Sequence, residues 1–190
     1  VGNVEKPHKV NIVVDISNPV TTHVIEGDQY ENIISGRSEI VLQAEDKISH
    51  VKKTYYTIDG SEERTYQAPL KGAQLSEGEH TITYYSVDKV NNREQTHEYS
   101  FYVDKTAPTV VDELMGNSYT ASGREYYSGR NKLKLISMDN KAGVKEVRYS
   151  INQGSFKVYE KPFNLTQSGN LNIETLAIDH VNNRKRTQKF

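Results

Sequence analysis

Short runs in which hydrophobic and polar residues alternate are the dominant pattern of this sequence. Ile40, Leu42 and Ala44 share one face of such a run, and Leu133 and Leu135 do the same later in the chain. A period of two residues is typical of a half-buried β-strand. Gly, Asn and Pro separate the runs, and no segment keeps a helical period over three turns. The pattern therefore predicts an all-β protein with short antiparallel strands.

The sequence repeats itself once, at a nearly constant spacing. The matched segments are Ser35-Gly36-Arg37 with Ser128-Gly129-Arg130, Tyr56-Thr57-Ile58-Asp59 with Tyr149-Ser150-Ile151-Asn152, Tyr66 with Tyr159, Pro69-Leu70 with Pro162-Phe163, and residues 88–93 with residues 179–184. Their order is the same in both halves of the chain, which indicates two modules built on one plan. About seven strands in roughly 90 residues are typical of a β-sandwich with Greek-key connections.

Two further matches set the predicted module boundaries. Residues 1–3 resemble residues 90–92, and Val14-Asp15 resembles Val103-Asp104. The predicted organisation is the last strand of a preceding repeat at residues 1–14, a first module at residues 15–104 and a second module at residues 105–190 whose final strand is truncated. We expect the N-terminal segment to lie beside the first module as a strand or to remain unpaired.

Several of these segments resemble a known family of bacterial repeats. Residues 103–108 resemble the linker that joins bacterial immunoglobulin-like and fibronectin-III-like repeats, and residues 139–144, 149–151 and 179–183 are similar to the body of such a repeat. The chain is most similar to the leptospiral outer-membrane-protein type of repeat and to related modules of secreted proteins. The resemblance covers nearly the whole chain, because each half matches one repeat of the family. It implies two tandem immunoglobulin-like β-sandwich modules with antiparallel strands.

The chain departs from the family pattern in two loops. Asn91 and Asn182 stand where the family has a glycine, and His50 replaces the glycine of an earlier loop. Asn is the residue that best tolerates a positive φ after glycine. We therefore expect the turns at both Asn positions to be kept.

Charge and composition narrow the classes of function. The formal net charge is -1, but residues 1–104 carry 10 Lys and Arg against 17 Asp and Glu, whereas residues 105–190 carry 14 against 8. Either this is a mixed solvated surface, or neighbouring modules attract one another or an acidic ligand binds the second half. No nucleic-acid motif accompanies the basic residues. With 0 Cys, the chain has no disulfide, thiolate metal site or cysteine nucleophile.

The sequence contains no pattern typical of a catalytic or membrane-inserted segment. It has no nucleophile elbow, phosphate loop or dinucleotide fingerprint, and no apolar stretch approaches the roughly 18 residues of a spanning helix. We therefore expect no enzymatic activity and no membrane insertion of this segment. The resemblance implies an extracellular or cell-surface location.

Two functional interpretations follow from the resemblance. In the first, the modules are a spacer of an exported bacterial surface protein and an adhesion or ligand-binding unit. Their partners are then neighbouring repeats of the same chain and a host matrix protein or glycan. In the alternative, they are accessory modules of a secreted glycoside hydrolase, in which Tyr55, Tyr85 and Tyr127 stack on sugar rings.

One acidic set recurs in both halves and is the candidate site. Its members are Asp15, Asp46 and Asp88 in the first module and Asp104, Asp139 and Asp179 in the second, and we expect Asn91, Asn92, Asn182 and Asn183 to supply amide oxygens beside them. In an immunoglobulin-like sandwich these loops lie at the end where the linker enters. Clustered oxygen ligands from flexible loops fit calcium, the one candidate cofactor.

A second interpretation of the same residues needs no metal. Each Asp can cap its own turn by accepting hydrogen bonds from backbone N–H groups. Lys47, Lys89 and Lys105 also stand beside these carboxylates in the sequence and could neutralise them. The sequence leaves both interpretations open.

Overall fold

The computed structural model describes residue 2 and residues 4–189, and the side chains of these residues except those of 188 and 189. Apart from a short 3-10 helix at Gly72–Gln74, its regular elements are strands. Among the described residues, no helix is long and apolar enough to cross a membrane.

The first repeat contains nine of the strands. They are β1 (Val20–Glu26), β2 (Gln29–Tyr30), β3 (Ile33–Ser35), β4 (Glu39–Glu45), β5 (Val51–Ile58), β6 (Arg64–Thr65), β7 (Leu70–Lys71), β8 (Gly78–Asp88) and β9 (His97–Asp104). They form a sheet of order β1-β4-β7 and a sheet of order β2-β3-β9-β8-β5-β6. The pairing of β3 with β9 is parallel, and it involves the C-terminal end of β9, where Ser35 pairs with Asp104.

The second repeat contains nine equivalent strands. They are β10 (Thr109–Met115), β11 (Ser118–Ala121), β12 (Arg124–Tyr127), β13 (Lys132–Met138), β14 (Val144–Ile151), β15 (Lys157–Val158), β16 (Phe163–Asn164), β17 (Ile173–Asp179) and β18 (Arg184–Lys189). They form sheets of order β10-β13-β16, β15-β14-β17-β18 and β11-β12. Apart from the separate β11-β12 hairpin, this order reproduces that of the first repeat.

The strand register shows that the two repeats share one backbone plan. Val51 pairs with Asp88 and Val144 pairs with Asp179, and a bulge follows each pair at the same position of β5 and β14. A bulge bends a strand and is a deliberate local feature, so its repetition is specific. Together with the strand order, it confirms the predicted class of immunoglobulin-like β-sandwiches.

Two compact units can be distinguished in the chain, and they interleave along the sequence. Unit 1 comprises the described residues of Val1–Val24, Val41–Pro69 and Thr81–Tyr99, and unit 2 comprises those of Ile25–Ile40, Leu70–His80 and Ser100–Phe190. These units divide β1, β4, β8 and β9, whereas the predicted module boundaries at residues 15 and 104 keep each strand whole. The module boundaries therefore stay a prediction.

The core of unit 1 combines hydrophobic with polar side chains. Leu42, Ile82 and Tyr84 are buried, as the alternating pattern requires. The Thr21 and Ser86 hydroxyl groups, on β1 and β8, lie 2.6 Å apart in the space between the sheets. A buried polar pair is acceptable when each group is hydrogen-bonded.

The core of unit 2 is more uniformly hydrophobic. Leu133, Leu135 and Leu165 are buried together, and Tyr149 packs against them from the opposite sheet. Each large aliphatic side chain buried in this way contributes about 1.5–3 kcal/mol to stability. A second cluster of unit 2 contains Ile33, with Ala142 and Val181, and it is described with the candidate site.

The turn conformations agree with the expectation drawn from the sequence. Asn91 has a φ of 71° and Asn182 has a φ of 60°, so both occupy the left-handed region and the turn is kept without glycine. His50 also adopts a positive φ, 65°, where the second repeat has Gly143 at 74°. The backbone plan therefore survives the replacement of glycine in the first repeat.

The N-terminal segment lies outside the sheets. Its described residues form no strand before β1, and their hydrophobic side chains are exposed, with Val4 at 92% and Ile12 at 78%. Of the two arrangements expected for residues 1–14, the unpaired one is therefore seen for residues 4–14. Their origin as a strand of a preceding repeat stays a prediction.

Candidate functional site

The first acidic triad gathers residues from three loops of unit 1. Asp15 precedes β1, Asp46 follows β4, and Asp88 is the last residue of β8. Sandwich strands that end on one side place their loops together, which explains how residues so distant in sequence meet. One carboxylate oxygen from each of the three lies within 4.8 Å of the other two.

The second triad repeats this arrangement within unit 2. Asp104 ends β9, Asp139 follows β13, and Asp179 ends β17. One carboxylate oxygen from each again lies within 4.8 Å of the other two. Asp104 and Asp179 are fully buried, and Asp139 is half-buried.

In each triad the Asp that precedes the first strand of the repeat, Asp15 or Asp104, is the linker Asp. It accepts a hydrogen bond from the loop after β4 or β13. Asp15 Oδ2 accepts from the Ser49 N–H at 3.0 Å, and Asp104 Oδ2 accepts from the equivalent Ala142 N–H at 3.0 Å. The other oxygen of each accepts from the N–H two residues along, at Ser17 and at Thr106. The linker is thus attached to its own repeat by one carboxylate.

The remaining members of the triads cap turns of their own loops. Asp139 Oδ2 accepts from the N–H groups of Lys141 and Gly143, at 3.1 and 2.8 Å. Asp179 Oδ1 accepts from the Asn183 N–H at 2.7 Å, as Asp88 Oδ1 does from the Asn92 N–H at 2.7 Å. The structure therefore shows the turn-capping role, which the sequence left open, at the same residues that cluster.

The electrostatics differ between the two triads. Burial raises the pKa of Asp104, and repulsion from Asp139 and Asp179 raises it further. Burial, followed by repulsion from Asp139, likewise raises the pKa of Asp179. These shifts arise because an uncompensated negative charge is costly away from water.

In the first triad, hydrogen bonds to the carboxylates outweigh burial and lower the pKa values of Asp15 and Asp88. The Ser17 hydroxyl group is the main cause that lowers the pKa of Asp15 to about 2. Burial acts to raise the pKa of Asp88, but hydrogen bonds from Ser49 and Asn92 outweigh burial and the pKa is lowered. The second triad is therefore the one in which a bound cation would relieve more repulsion.

The amides expected to supply ligand oxygens are turned to other partners. Asn183 Nδ2 donates to Asp179 Oδ2 at 2.8 Å and to the Asp104 carbonyl at 3.1 Å, while its oxygen accepts from Arg37. Asn182 Nδ2 donates to Asp28 Oδ1 at 2.6 Å. In this arrangement the two amides present N–H groups rather than oxygens to their acidic neighbours.

The Lys105 side chain contacts backbone carbonyl groups rather than a triad carboxylate. The Lys105 ammonium group donates to the carbonyl oxygens of Ala73 and Leu75, at 3.1 and 2.5 Å. It is therefore not turned to the adjacent Asp104. Lys47 and Lys89 are exposed.

Asp139 keeps one oxygen free for a ligand. Its Oδ1 atom is buried and has no hydrogen-bond partner among the described residues. A buried carboxylate oxygen ordinarily has a partner, and Ca²⁺ prefers such oxygens. The residues of the second triad thus fit a divalent cation through carboxylate oxygens alone.

A set of contacts beside the second triad was not found from the sequence. Arg37 Nη2 donates to the Val181 carbonyl at 2.8 Å, and its Nη1 donates to Asn183 Oδ1 at 3.2 Å. The Tyr30 ring stacks on His180, with 4.4 Å between ring centroids. All five residues belong to unit 2. The repetition of Ser-Gly-Arg in the two halves was the signal that could have pointed to Arg37.

The tyrosines considered for sugar stacking are only partly available. Tyr55 and Tyr85 stack on each other with 5.2 Å between centroids, and the Arg93 guanidinium lies 3.8 Å from the Tyr85 ring centroid. Tyr127 is 40% exposed, and its hydroxyl group donates to Glu125. Tyr119 and Tyr126 of the same hairpin are more exposed, at 70% and 54%.

Comparison with solved structures finds similarity to other chains. The chain is similar to a solved structure of the fibronectin(III)-like modules of Clostridium thermocellum CbhA, with 14% sequence identity and a TM-score of 0.48. The match covers 89% of this chain and 91% of that chain. No protein-family model and no curated protein matches the chain. The fold assignment therefore depends on the strand order and register described above.

Proposed function

We propose that this chain is a non-catalytic structural spacer of an exported bacterial surface protein, in which each repeat fixes its own linker by an acidic triad. One observation carries the proposal: Asp15 and Asp104 make the same two hydrogen bonds in their respective repeats. A feature that is built twice at the start of a module supports a role in positioning that module rather than a reaction. Adhesion to a host matrix protein or glycan is a further part of the proposal.

Within this function, the second triad is the proposed site for calcium. Three carboxylates converge there, and two of them have raised pKa values because of burial and mutual repulsion. A divalent cation supplies the compensating charge and uses the free Asp139 oxygen. The first triad is the weaker candidate because hydrogen bonds already stabilise its charges.

Thermal unfolding with millimolar calcium and with chelator tests the calcium proposal. A cation that binds only the folded chain at about 100 times its dissociation constant adds roughly 2.7 kcal/mol to the free energy of unfolding. We expect calcium to raise the Tm of the parent and to leave Asp139→Asn almost unchanged. Asp112→Asn, an acidic residue of β10 outside the triad, serves as the matched control and should respond like the parent. Identical curves with calcium and chelator would remove calcium and leave the turn-capping role.

The non-catalytic part of the proposal has its own test. The purified chain should show no turnover of chromogenic glycosides or esters. Turnover that is lost in a single Glu→Gln variant would overturn it.

The alternative function, an accessory module of a secreted glycoside hydrolase, is favoured by the exposed tyrosines of the β11-β12 hairpin. Flat aromatic rings that face solvent are suited to stack on sugar rings. Affinity electrophoresis in gels with soluble polysaccharides distinguishes the two functions. Retardation that is lost in Tyr119→Ala would favour the alternative, and unchanged mobility with every polysaccharide would count against it.

A further inference from the structure

Within unit 2, one face of the first repeat contacts loops of the second repeat. Here the base face is Asp28, Tyr30, Ile33 and Arg37 of the first repeat, and the loop face is Ala142, His180, Val181, Asn182 and Asn183 of the second. The two faces are joined by hydrogen bonds from Arg37, the Asp28–Asn182 hydrogen bond, the Tyr30–His180 stack and the Ile33–Val181 cluster. All of these residues lie in unit 2.

An equivalent base face exists on the second repeat. Tyr30 pairs with Ile33 in the β2-β3 hairpin, and Tyr119 pairs with Tyr126 in the longer β11-β12 hairpin. The backbone turn that presents Arg37 is also reproduced, since the Arg37 N–H donates to Ser35 Oγ and the Arg130 N–H donates to Ser128 Oγ. The tail face is therefore defined as Asn117, Tyr119, Tyr126 and Arg130.

An equivalent loop face exists on the first repeat. The Lys89 N–H donates to the His50 carbonyl just as the His180 N–H donates to the Gly143 carbonyl, which fixes the correspondence of the two loops. The head face is therefore defined as Ser49, Lys89, Val90, Asn91 and Asn92. The amide of Asn92 donates to Asp15 and Asp88 as that of Asn183 donates to Asp104 and Asp179, which leaves its oxygen as an acceptor.

Both of these faces are open in the structure. Val90 is 52% exposed, whereas its equivalent Val181 is fully buried. Tyr126 is 54% exposed, whereas its equivalent Ile33 is 7% exposed. Among the residues that the structure describes, one pair of such faces is thus in contact, and one equivalent face of each kind is exposed.

We propose that the tail face of one copy of this chain binds the head face of a second copy, so that copies associate head to tail. In this pairing Arg130 donates to the Val90 carbonyl and to Asn92 Oδ1, as Arg37 does to Val181 and Asn183. Tyr126 packs on Val90, and the Tyr119 ring receives the Lys89 ammonium group in a cation–π contact. The pairing is heterologous, because two different faces meet.

Charge supports this occupant over an unrelated partner. Residues 1–104, which carry the head face, have 17 Asp and Glu against 10 Lys and Arg, and residues 105–190, which carry the tail face, have 14 Lys and Arg against 8 Asp and Glu. Opposite charges of this kind steer two surfaces toward each other and disfavour head-to-head and tail-to-tail contacts. The association is independent of calcium, because neither face uses a triad carboxylate.

Disulfide trapping of single-cysteine variants tests the proposal, since the parent has 0 Cys. Val90→Cys and Tyr126→Cys are mixed in chelator with a mild oxidant, and formation of the mixed disulfide is followed with time. In the control, Val90→Cys is mixed with Lys161→Cys instead of Tyr126→Cys. Lys161 is exposed and lies outside the tail face. Far-UV circular dichroism verifies that every variant is folded. The chelator separates this test from that of calcium binding.

We expect the Val90–Tyr126 pair to cross-link at least about tenfold faster than the Val90–Lys161 pair. Adding Arg130→Glu to the Tyr126→Cys variant should remove most of that difference. The introduced carboxylate cannot donate a hydrogen bond, and the oxygens that Arg130 would contact repel it. Equal rates for the two pairs, or a fast rate that Arg130→Glu leaves unchanged, would overturn the proposal.

Discussion

Glu94 is the residue whose removal should most clearly damage the first repeat without touching either triad. Its carboxylate is 7% exposed and lies inside unit 1. It accepts from the Thr21 N–H at 2.9 Å and from the Ser86 N–H at 2.6 Å, and also from the Thr21 hydroxyl group and the His97 ring. One side chain thus satisfies several buried donors from two sheets.

The cost of Glu94→Ala can be worked from these contacts. A buried donor left without a partner costs about 1–3 kcal/mol, and two backbone N–H groups lose their acceptor. With partial relaxation and water entry, we expect a loss of about 3–5 kcal/mol in the free energy of unfolding of unit 1. Glu98→Ala, an exposed residue of β9 four positions along the chain, should change it by less than about 0.5 kcal/mol.

Urea unfolding followed by tyrosine fluorescence and circular dichroism measures both variants. The chain has 13 Tyr and 0 Trp, so tyrosine reports on the transition. At a slope of about 2 kcal/mol per molar urea, Glu94→Ala should lower the midpoint by about 1.5–2.5 M. A shift below about 0.3 M would refute the reasoning, because it would mean that the buried donors find other partners.

Two further predictions concern unit 2 and the pH. Arg37→Ala should lower the free energy of unfolding of unit 2 by about 1–2 kcal/mol, since its charged hydrogen bonds are lost from a side chain 55% exposed. The equivalent Arg130→Ala should change it by less than about 0.5 kcal/mol in dilute solution, and equal effects in urea unfolding would contradict the assignment. The raised pKa values of Asp104 and Asp179 mean that the folded state binds protons more readily than the unfolded state, whose Asp value is near 3.8. Unit 2 should therefore become more stable as the pH falls from neutral through the raised pKa values toward 3.8. Asp15 and Asp88 act in the opposite sense, because their stabilisation is lost as the pH falls from 3.8 through their lowered pKa values, which is about 2 for Asp15. Urea unfolding at a series of pH values, compared with Asp104→Asn, checks this, and a pH response of unit 2 unchanged in that variant would contradict it.

The parts of the fold set by local pattern were accessible from the sequence. The alternation of Leu133 and Leu135 placed them in the core, and the positive φ of Asn91 and Asn182 followed from what Asn tolerates. Both triads could be assembled because loops at one end of a sandwich converge once the strand order is known. These inferences needed only periodicity, turn chemistry and topology.

Contacts that depend on exact placement were not accessible. The burial of Glu174, at 7% exposed, breaks the alternation of β17, and the residue is paired with Arg186 across the strand pair. The orientation of the Asn183 amide is decided by Arg37, which comes from a distant part of the chain. No local pattern carries information about such a partner.

In each repeat, the linker carboxylate, Asp15 or Asp104, holds the linker to the loop after β4 or β13. Amide hydrogen exchange at Ala142 and Ser49, followed by NMR, measures this most directly because their N–H groups donate to Asp104 and Asp15. Both amides should exchange slowly in the parent. In Asp104→Ala, the exchange at Ala142 should become at least about tenfold faster while that at Ser49 is unchanged. Unchanged protection of Ala142 in Asp104→Ala would contradict the account.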